Sequence, residues 1–185
     1  MVNIAEDTDG SKSNENTGCA FHISSIKKCG IYKMSSKASI LSAEAKAIYK
    51  ATKYSEQLNG SSFLILSDSL SSLKNTQALT REREANIWIW KVIEQINKLR
   101  TQNKKVHLVW IPAQSKIQGN ETVDALAKLS AKLDNNNVEK TDPNDLKVIA
   151  KNKMIERWQC YWEETKEYKG QHLFKIQSQI NIKPL

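Results

Sequence analysis

The chain has 185 residues, of which 39% are hydrophobic and 26% charged, and its formal net charge is +8. This composition is typical of a soluble globular protein and argues against a disordered chain, and no apolar run approaches the ~18 residues that a membrane span needs. Three cysteines without a CxxC pair argue against a disulfide framework and against a zinc knuckle.

The elements predicted along the first 132 residues begin with strands and continue as alternating strands and helices. In chain order they are strands 2–8, 18–23 and 30–34, helix 42–58, strand 63–66, helices 69–76 and 86–100, strand 106–111 and helix 121–132. Ser42 is the predicted N-cap of the first helix, and Glu6 and Asp7 interrupt the pattern of the first strand. An antiparallel start followed by crossovers predicts an α/β fold in which a mixed sheet carries helices on its faces.

A polar stretch marked by Pro143 comes after these elements and is typical of a linker. The predicted organisation is a domain of residues 1–132, a linker of residues 133–145 and a helical tail of residues 146–185. The tail is predicted to be one amphipathic helix over residues 145–168, with Val148, Ile155, Trp158 and Trp162 on a stripe. Such a stripe favours a core or docking surface over base stacking by the two tryptophans.

Positive charge is concentrated in the first part of the chain. Residues 1–132 hold 19 Lys and Arg against 12 Asp and Glu, whereas the remaining residues hold 9 against 8. The first segment is therefore the predicted polyanion binder, with a merely soluble basic surface as the alternative. Because the N-terminus lacks the basic and apolar regions of a signal peptide, we expect an intracellular protein of the cytoplasm or nucleus, without a membrane partner.

Four carboxylates occupy equivalent places in the predicted elements. Asp9 ends the first strand and Asp68 ends the strand 63–66, while Glu44 and Asp124 lie in the first turns of helices. Each alone suits a turn or a helix N-terminus. Because strand ends and helix starts meet at one edge of an open sheet, the four together predict a single site.

A site of this kind requires cations. Two unit charges ~4 Å apart repel by about 4 kcal/mol at an effective dielectric constant near 20. Ligation by oxygen alone selects hard ions such as Mg²⁺ or Mn²⁺. Two such ions form a clamp for in-line displacement at a phosphodiester, which predicts a nuclease or a nucleotidyl transferase.

Each of the four acids lies in a short motif within the first 132 residues. The motifs are Thr8-Asp9-Gly10-Ser11-Lys12 with Gly18-Cys19-Ala20-Phe21, then Ser42-Ala43-Glu44, then Ser67-Asp68-Ser69-Leu70-Ser71-Ser72-Leu73, and finally Trp110-Ile111-Pro112 leading to Gly119-Asn120-Glu121 and Asp124-Ala125-Leu126-Ala127-Lys128. In this order and spacing they resemble ribonuclease H of the type-one fold, and the sequence looks closest to the version at the C-terminus of non-LTR retrotransposon reverse transcriptase polyproteins. The tail, with Trp158-Gln159 and Trp162, also resembles the segment C-terminal to the domain in those polyproteins.

The resemblance implies an RNase H-like fold with a five-stranded mixed sheet flanked by helices. It implies an endonuclease that hydrolyses the RNA strand of RNA–DNA hybrids and leaves 3′-hydroxyl and 5′-phosphate ends. It implies two Mg²⁺ ions, with Mn²⁺ as a substitute, where Asp9 bridges both ions, Glu44 and Asp68 bind one, and Asp124 binds the other. The substrate-binding residues implied are Gly10, Ser11, Ser42, Ser69 and Asn120.

One loop departs from the family pattern. Where members usually carry Pro-Ser-His-x-Gly-Ile, this chain has Pro112 followed by Ala113 and Gln114, and Gln114 cannot exchange a proton at neutral pH. The expected consequence is reduced turnover, bounded by the ~10²–10⁴-fold that general acid–base groups contribute. Two alternatives stay open, namely a catalytically weak or inactive hybrid-binding relic of a retrotransposon and the same fold catalysing DNA strand transfer.

Overall fold

A five-stranded mixed sheet forms the centre of the molecule. The computed structural model of the chain describes residues 3–78, 86–113, 118–133, 141–167 and 170–180. The strands are β1 (Asn3–Lys12), β2 (Thr17–Ile23), β3 (Lys28–Met34), β4 (Ser62–Ser67) and β5 (Lys105–Trp110), in the spatial order β3-β2-β1-β4-β5. Strands β1, β2 and β3 are antiparallel neighbours, whereas β1, β4 and β5 run parallel. The predicted α/β fold with a mixed sheet is confirmed.

Helices cover both faces of this sheet. They are α1 (Ile40–Ser55), α2 (Leu70–Ala78), α3 (Ile87–Thr101) and α4 (Gln118–Ala131). Because successive strand residues point to opposite faces, Phe21 packs with Ile48 of α1 and Val92 of α3, whereas its neighbour Ala20 packs with Val123 of α4. The sheet is thus buried between an α1–α3 layer and α4.

Strand β1 is longer than predicted, and Asp9 does not end it. The strand continues to Lys12, and Asp9 pairs with Ala20 of β2. Glu6 and Asp7 do not interrupt it, because both are buried within the strand and its ladder runs through them. The prediction of a short first strand is therefore wrong.

Two helix starts also differ from the sequence-based expectation. Ser39, not Ser42, is the N-cap of α1, because its side chain accepts the backbone N–H of Ser42 at 3.1 Å. Helix α4 begins at Gln118 rather than at residue 121, so it includes Gly119 and places Asp124 in its second turn. Because α1 begins at Ile40, Glu44 also lies in a second turn, so neither Glu44 nor Asp124 is a first-turn acid.

The C-terminal part of the chain is helical but is not one helix. The chain divides into two compact units, Met1–Pro143 and Asn144–Leu185. Helix α5 (Pro143–Glu164) is followed by a 3-10 turn (Thr165–Glu167) and by a short helix α6 (Gln171–Ile176), so the predicted single helix ends earlier than expected. The division into residues 1–132, 133–145 and 146–185 stays a prediction. No helix in the described ranges is both long and apolar enough to cross a membrane.

Candidate active site

Three of the four predicted carboxylates meet at the edge of the sheet where β4 ends. The parallel register pairs Thr8 of β1 with Ser67 of β4, so the next residues along, Asp9 and Asp68, lie side by side. Glu44 reaches the same place from α1. One carboxylate oxygen from each of Asp9, Glu44 and Asp68 lies within 4.8 Å of the other two. The alignment of two parallel strands and one helix therefore builds an all-oxygen cluster.

Gly10 allows α1 to approach β1 at this cluster. A Cβ atom at this position would lie 2.6 Å from the backbone nitrogen of Glu44, closer than packed atoms allow. The backbone N–H of Gly10 donates to the carboxylates of both Asp9 and Glu44, and these hydrogen bonds lower the pKa of each acid. A side chain at residue 10 would therefore separate the strand from the helix that carries Glu44.

Burial and mutual repulsion dominate the electrostatics of the cluster. Burial, with Asp68 and Asp124 adding repulsion, raises the pKa of Asp9 to about 7. Burial first, and then Asp9 and Asp68, raise the pKa of Glu44 well above its usual value. The pKa of Asp68 is raised by burial and by Asp124. Because burial and neighbouring acids both disfavour ionisation of these groups, the cluster favours a bound cation.

The residues present fit a divalent metal ion. The donor set is oxygen only, which suits a hard cation such as Mg²⁺. Within the described part of the chain, Glu44 Oε2 is buried and has no hydrogen-bond partner. Such an oxygen is costly unless a proton or a cation meets it, and Glu6 Oε2 and Asp7 Oδ1 are also buried without a partner. Of these three acids, Glu44 is the one that lies in a cluster with two further acids. Asp9, Glu44 and Asp68 are therefore the residues that would hold the ion.

Asp124 stands apart from this cluster. Its Oδ2 accepts a hydrogen bond from Lys128 Nζ at 2.6 Å, in an exposed ion pair one helical turn long. Asp124 still raises the pKa of Asp9 and Asp68, so it belongs to the same electrostatic environment. The structure thus places the fourth predicted ligand beside the site but pairs it with a lysine.

The predicted substrate-binding residues lie in unequal environments. Gly10 is buried in β1, Ser11 is half-buried, and Asn120 is buried in α4. The Ser42 hydroxyl is fully buried and accepts a hydrogen bond from Asn86 Nδ2 at 2.6 Å. Ser69 is half-buried immediately after Asp68. Their contact with substrate stays a prediction, and Gln114 lies outside the described residues.

Two neighbours of the site are not predicted from the sequence. Lys128 pairs with Asp124, and the spacing of four residues on a helix is the signal that could have revealed this pair. Trp110, at the end of β5, donates from its indole Nε1 to the backbone oxygen of Asp68 at 3.1 Å while remaining 48% exposed. No sequence pattern indicates this second contact, because it depends on the register between β4 and β5.

Comparison with known proteins identifies the domain that carries this site. Residues 5–132 match the family model described as RNase H. The chain belongs to the RNase H family. The RNase H1 of the halophilic archaeon Halobacterium salinarum NRC-1 has a similar fold, with a TM-score of 0.54 and 16% sequence identity over 70% of this chain and 97% of that chain. No curated protein matches the sequence.

The family match confirms the expected class of protein. The RNase H-like fold and the five-stranded sheet agree with the structural match, and membership indicates a ribonuclease H hydrolase that acts on nucleic acid. The matched range contains every member of the carboxylate cluster.

Proposed function

We propose that the RNase H domain is a metal-dependent endonuclease that hydrolyses the RNA strand of RNA–DNA hybrids. The observation that carries the proposal is the cluster of Asp9, Glu44 and Asp68, whose oxygens lie within 4.8 Å of one another inside a domain of the RNase H family. Family membership suggests the substrate, and the cluster suggests two Mg²⁺ ions, with Mn²⁺ as a substitute.

The chain's own residues would hold and orient the reacting groups. When bound, divalent ions would supply Lewis-acid stabilisation of the phosphodiester oxygens and a water nucleophile of lowered pKa. Asp9 and Glu44 are fixed by the Gly10 N–H, and Asp68 is fixed by its place at the end of β4. Asp124 would bind an ion beside these three acids once its ion pair with Lys128 is broken.

Selection of RNA would depend on 2′-hydroxyl contacts near the cluster. Ser11 and Ser69 are the half-buried hydroxyl residues flanking Asp9 and Asp68 along the chain, so they are the more accessible of the predicted substrate contacts. Proton transfer near Asp124 would be slow, because Gln114 replaces the usual histidine and cannot titrate. We expect reduced turnover for this reason.

The domain's setting in the cell is part of the same proposal. The motifs and the tail resemble reverse transcriptase polyproteins of non-LTR retrotransposons, so an origin in such a polyprotein and action in the cytoplasm or nucleus are proposed. The RNA–DNA hybrid made during reverse transcription would then be the substrate.

A cleavage assay with a matched control tests the proposal. The full chain is incubated with Mg²⁺ and labelled RNA–DNA hybrid, DNA duplex or RNA duplex. We expect cleavage of the RNA strand of the hybrid alone. Asp68→Asn should reduce the rate by about 10³-fold, as expected when several kcal/mol of metal stabilisation are lost. The control Glu94→Gln changes an exposed acid on α3 and should leave the rate unchanged.

Two results would contradict the proposal. Cleavage that survives Asp68→Asn would overturn the site assignment. Binding of the hybrid without any cleavage, at any Mg²⁺ or Mn²⁺ concentration, would contradict the proposed nuclease activity. Restoring histidine by Gln114→His tests the loop separately, and an unchanged rate would show that Gln114 does not limit turnover.

A second candidate function is hybrid binding without turnover. The loop residue Gln114 favours it, because glutamine cannot exchange the proton that the usual histidine handles. Cleavage that appears only in Gln114→His would support this second function, whereas cleavage by the unchanged chain would exclude it.

A further inference from the structure

Helix α5, in the second unit, has one exposed face that combines cations with large apolar side chains. Its residues have the i, i+3, i+4, i+7 spacing of a single helix face. They are Lys147, Ala150, Lys151, Met154, Arg157, Trp158 and Tyr161, and each of them is exposed. We call this set the basic-aromatic face.

The large side chains of this face are substantially accessible. The exposed fractions are 42% for Met154, 51% for Trp158 and 69% for Tyr161. Met154, Arg157 and Trp158 also line one open cavity together with Ala150 and Lys153. The side chains of Met154, Trp158 and Tyr161 are therefore accessible to a ligand, and cations lie on the same face.

The contacts that α5 makes within its own unit lie at the border of the basic-aromatic face. They are formed by Gln159 and by Trp162, which follows Trp158 by one helical turn. The Trp162 ring lies 6.4 Å from the ring of Phe174, and its Nε1 donates to the backbone oxygen of Gln177 at 2.9 Å. Gln159 Nε2 donates to the backbone oxygen of Ser178 at 3.0 Å. Trp158 and Trp162 therefore lie on successive turns of one stripe, but Trp162 packs on Phe174 whereas Trp158 is 51% exposed.

Charge is segregated around α5. The seven residues of the basic-aromatic face include three cations and no acid. Glu156 and Glu163 are seven residues apart, so they share another face, on which Glu163 accepts a hydrogen bond from Gln159 at 2.9 Å. Among the residues of α5 itself, the acid nearest to the basic-aromatic face is Glu164, at its C-terminal end. Along most of α5, a polyanion on this face would therefore meet cations rather than acids of the same helix.

We infer that the basic-aromatic face binds single-stranded nucleic acid. Cations attract phosphates, and flat aromatic rings stack on bases without regard to sequence. Bases are accessible for stacking only when they are unpaired, which favours a single strand over a duplex. The span from Lys147 to Tyr161 is about 21 Å at 1.5 Å per residue, which matches about six nucleotides of a stacked strand. This inference is independent of the proposed nuclease activity, because no residue of α5 belongs to the carboxylate cluster.

Binding to a labelled oligodeoxythymidine of 20 nucleotides tests the inference. The full chain is titrated by fluorescence anisotropy without divalent ions, so that cleavage does not interfere. We expect Trp158→Ala to weaken binding about tenfold, as loss of one stacked base predicts, and Trp158→Phe to retain most of the affinity. Arg157→Ala should reduce the slope of log affinity against log salt concentration by about 0.7.

Matched substitutions elsewhere control for general effects. Trp90 is 47% exposed on α3, so Trp90→Ala removes a similarly exposed indole from the first unit and should leave the affinity unchanged. Lys175→Ala removes one exposed cation from α6 and should change the salt slope less than Arg157→Ala does. Circular dichroism checks that every variant keeps its helices.

Three outcomes would overturn the inference. The first is equal loss of affinity in Trp158→Ala and Trp90→Ala. The second is tighter binding of a DNA duplex than of the single strand, together with no effect of Trp158→Ala. The third is self-association that Trp158→Ala abolishes while oligonucleotide binding is unchanged, because the face would then contact a second copy of the chain. An affinity that falls only in the Trp158 and Arg157 variants supports it.

Discussion

Two of the buried carboxyl groups in strand β1, those of Glu6 and Asp9, lie three residues apart, and burial is the main cause that raises the pKa of each to about 7. Their neighbours differ. The Ser55 hydroxyl donates to Glu6 Oε1 at 2.7 Å and lowers the pKa of Glu6, whereas Asp68 and Asp124 raise the pKa of Asp9 further. The carboxyl group of Glu6 thus has a neutral hydroxyl group as its neighbour, whereas that of Asp9 has other acids.

This difference separates a structural acid from a metal ligand. A single proton neutralises Glu6 and removes most of the cost of burying it. One proton cannot neutralise three neighbouring acids, so Asp9, Glu44 and Asp68 need a doubly charged cation for the same effect. A raised pKa, as at Glu6, therefore indicates only that a carboxyl group is buried. Acidic neighbours, as at Asp9, are the feature that indicates a metal site.

The largest expected difference is between two variants that each remove one buried acid, at Glu44 in the metal site and at Glu6 in the strand. Glu44→Gln should reduce hydrolysis of the hybrid by about 10³-fold and abolish the rise in melting temperature on addition of Mg²⁺, because the ion loses a ligand. Glu6→Gln should leave both unchanged. Activity assays and thermal melts with and without Mg²⁺ measure the two effects. A comparable loss of Mg²⁺ stabilisation in both variants would show that the two acids do not differ in this way.

A smaller effect is expected on the pH dependence of stability. The pKa of Glu6 rises from 4.5 to about 7 on folding, so the stability contributed by its protonated form is fully present below pH 4.5 and is lost as pH rises through about 7. Glu6→Gln, which cannot ionise, should be more stable than the wild type at pH 8 by about 3 kcal/mol and lose this advantage towards pH 4.5. Urea unfolding at several pH values measures it, and a pH-independent difference would contradict the assignment.

The smallest effect concerns the ion pair beside the metal site. Lys128→Ala should lower the Mg²⁺ concentration needed for half-maximal activity by about twofold, because an exposed pair four residues apart on a helix is weak. Lys132→Ala is the matched control, since it removes another exposed lysine just after the end of α4. An increased Mg²⁺ requirement in Lys128→Ala would show that the lysine supports the site rather than competing with the ion.

Much of the site follows from local sequence. A short apolar run bounded by polar residues predicts β4, and the acid after it, Asp68, lies where expected. The convergence of Asp9, Glu44 and Asp68 depends only on parallel pairing of β1 with β4 and on the close approach of α1. Both are general properties of α/β sheets, so they can be expected from the order of the elements.

Other features depend on contacts that no local pattern carries. Glu6 is accommodated in the middle of β1 because the hydroxyl of Ser55, 49 residues away, donates a hydrogen bond to its carboxyl group. The hydropathy pattern shows only that an acid interrupts an apolar strand. The sequence pattern places Gly119 before the helix start, yet it lies inside α4, where a Cβ atom would lie 2.1 Å from Asp7 Oδ2. The earlier helix start moves Asp124 to the second turn.

The contact at Gly10 bears on which ion the domain would select. Mg²⁺ binds oxygen at about 2.0–2.1 Å and Ca²⁺ at about 2.3–2.6 Å, so a few tenths of an ångström in ligand spacing distinguish them. A Cβ atom added at residue 10 would lie 2.6 Å from the Glu44 nitrogen, so any larger residue there would push α1 away from β1. Such a substitution would widen the spacing between the Asp9 and Glu44 ligands and would favour the larger ion.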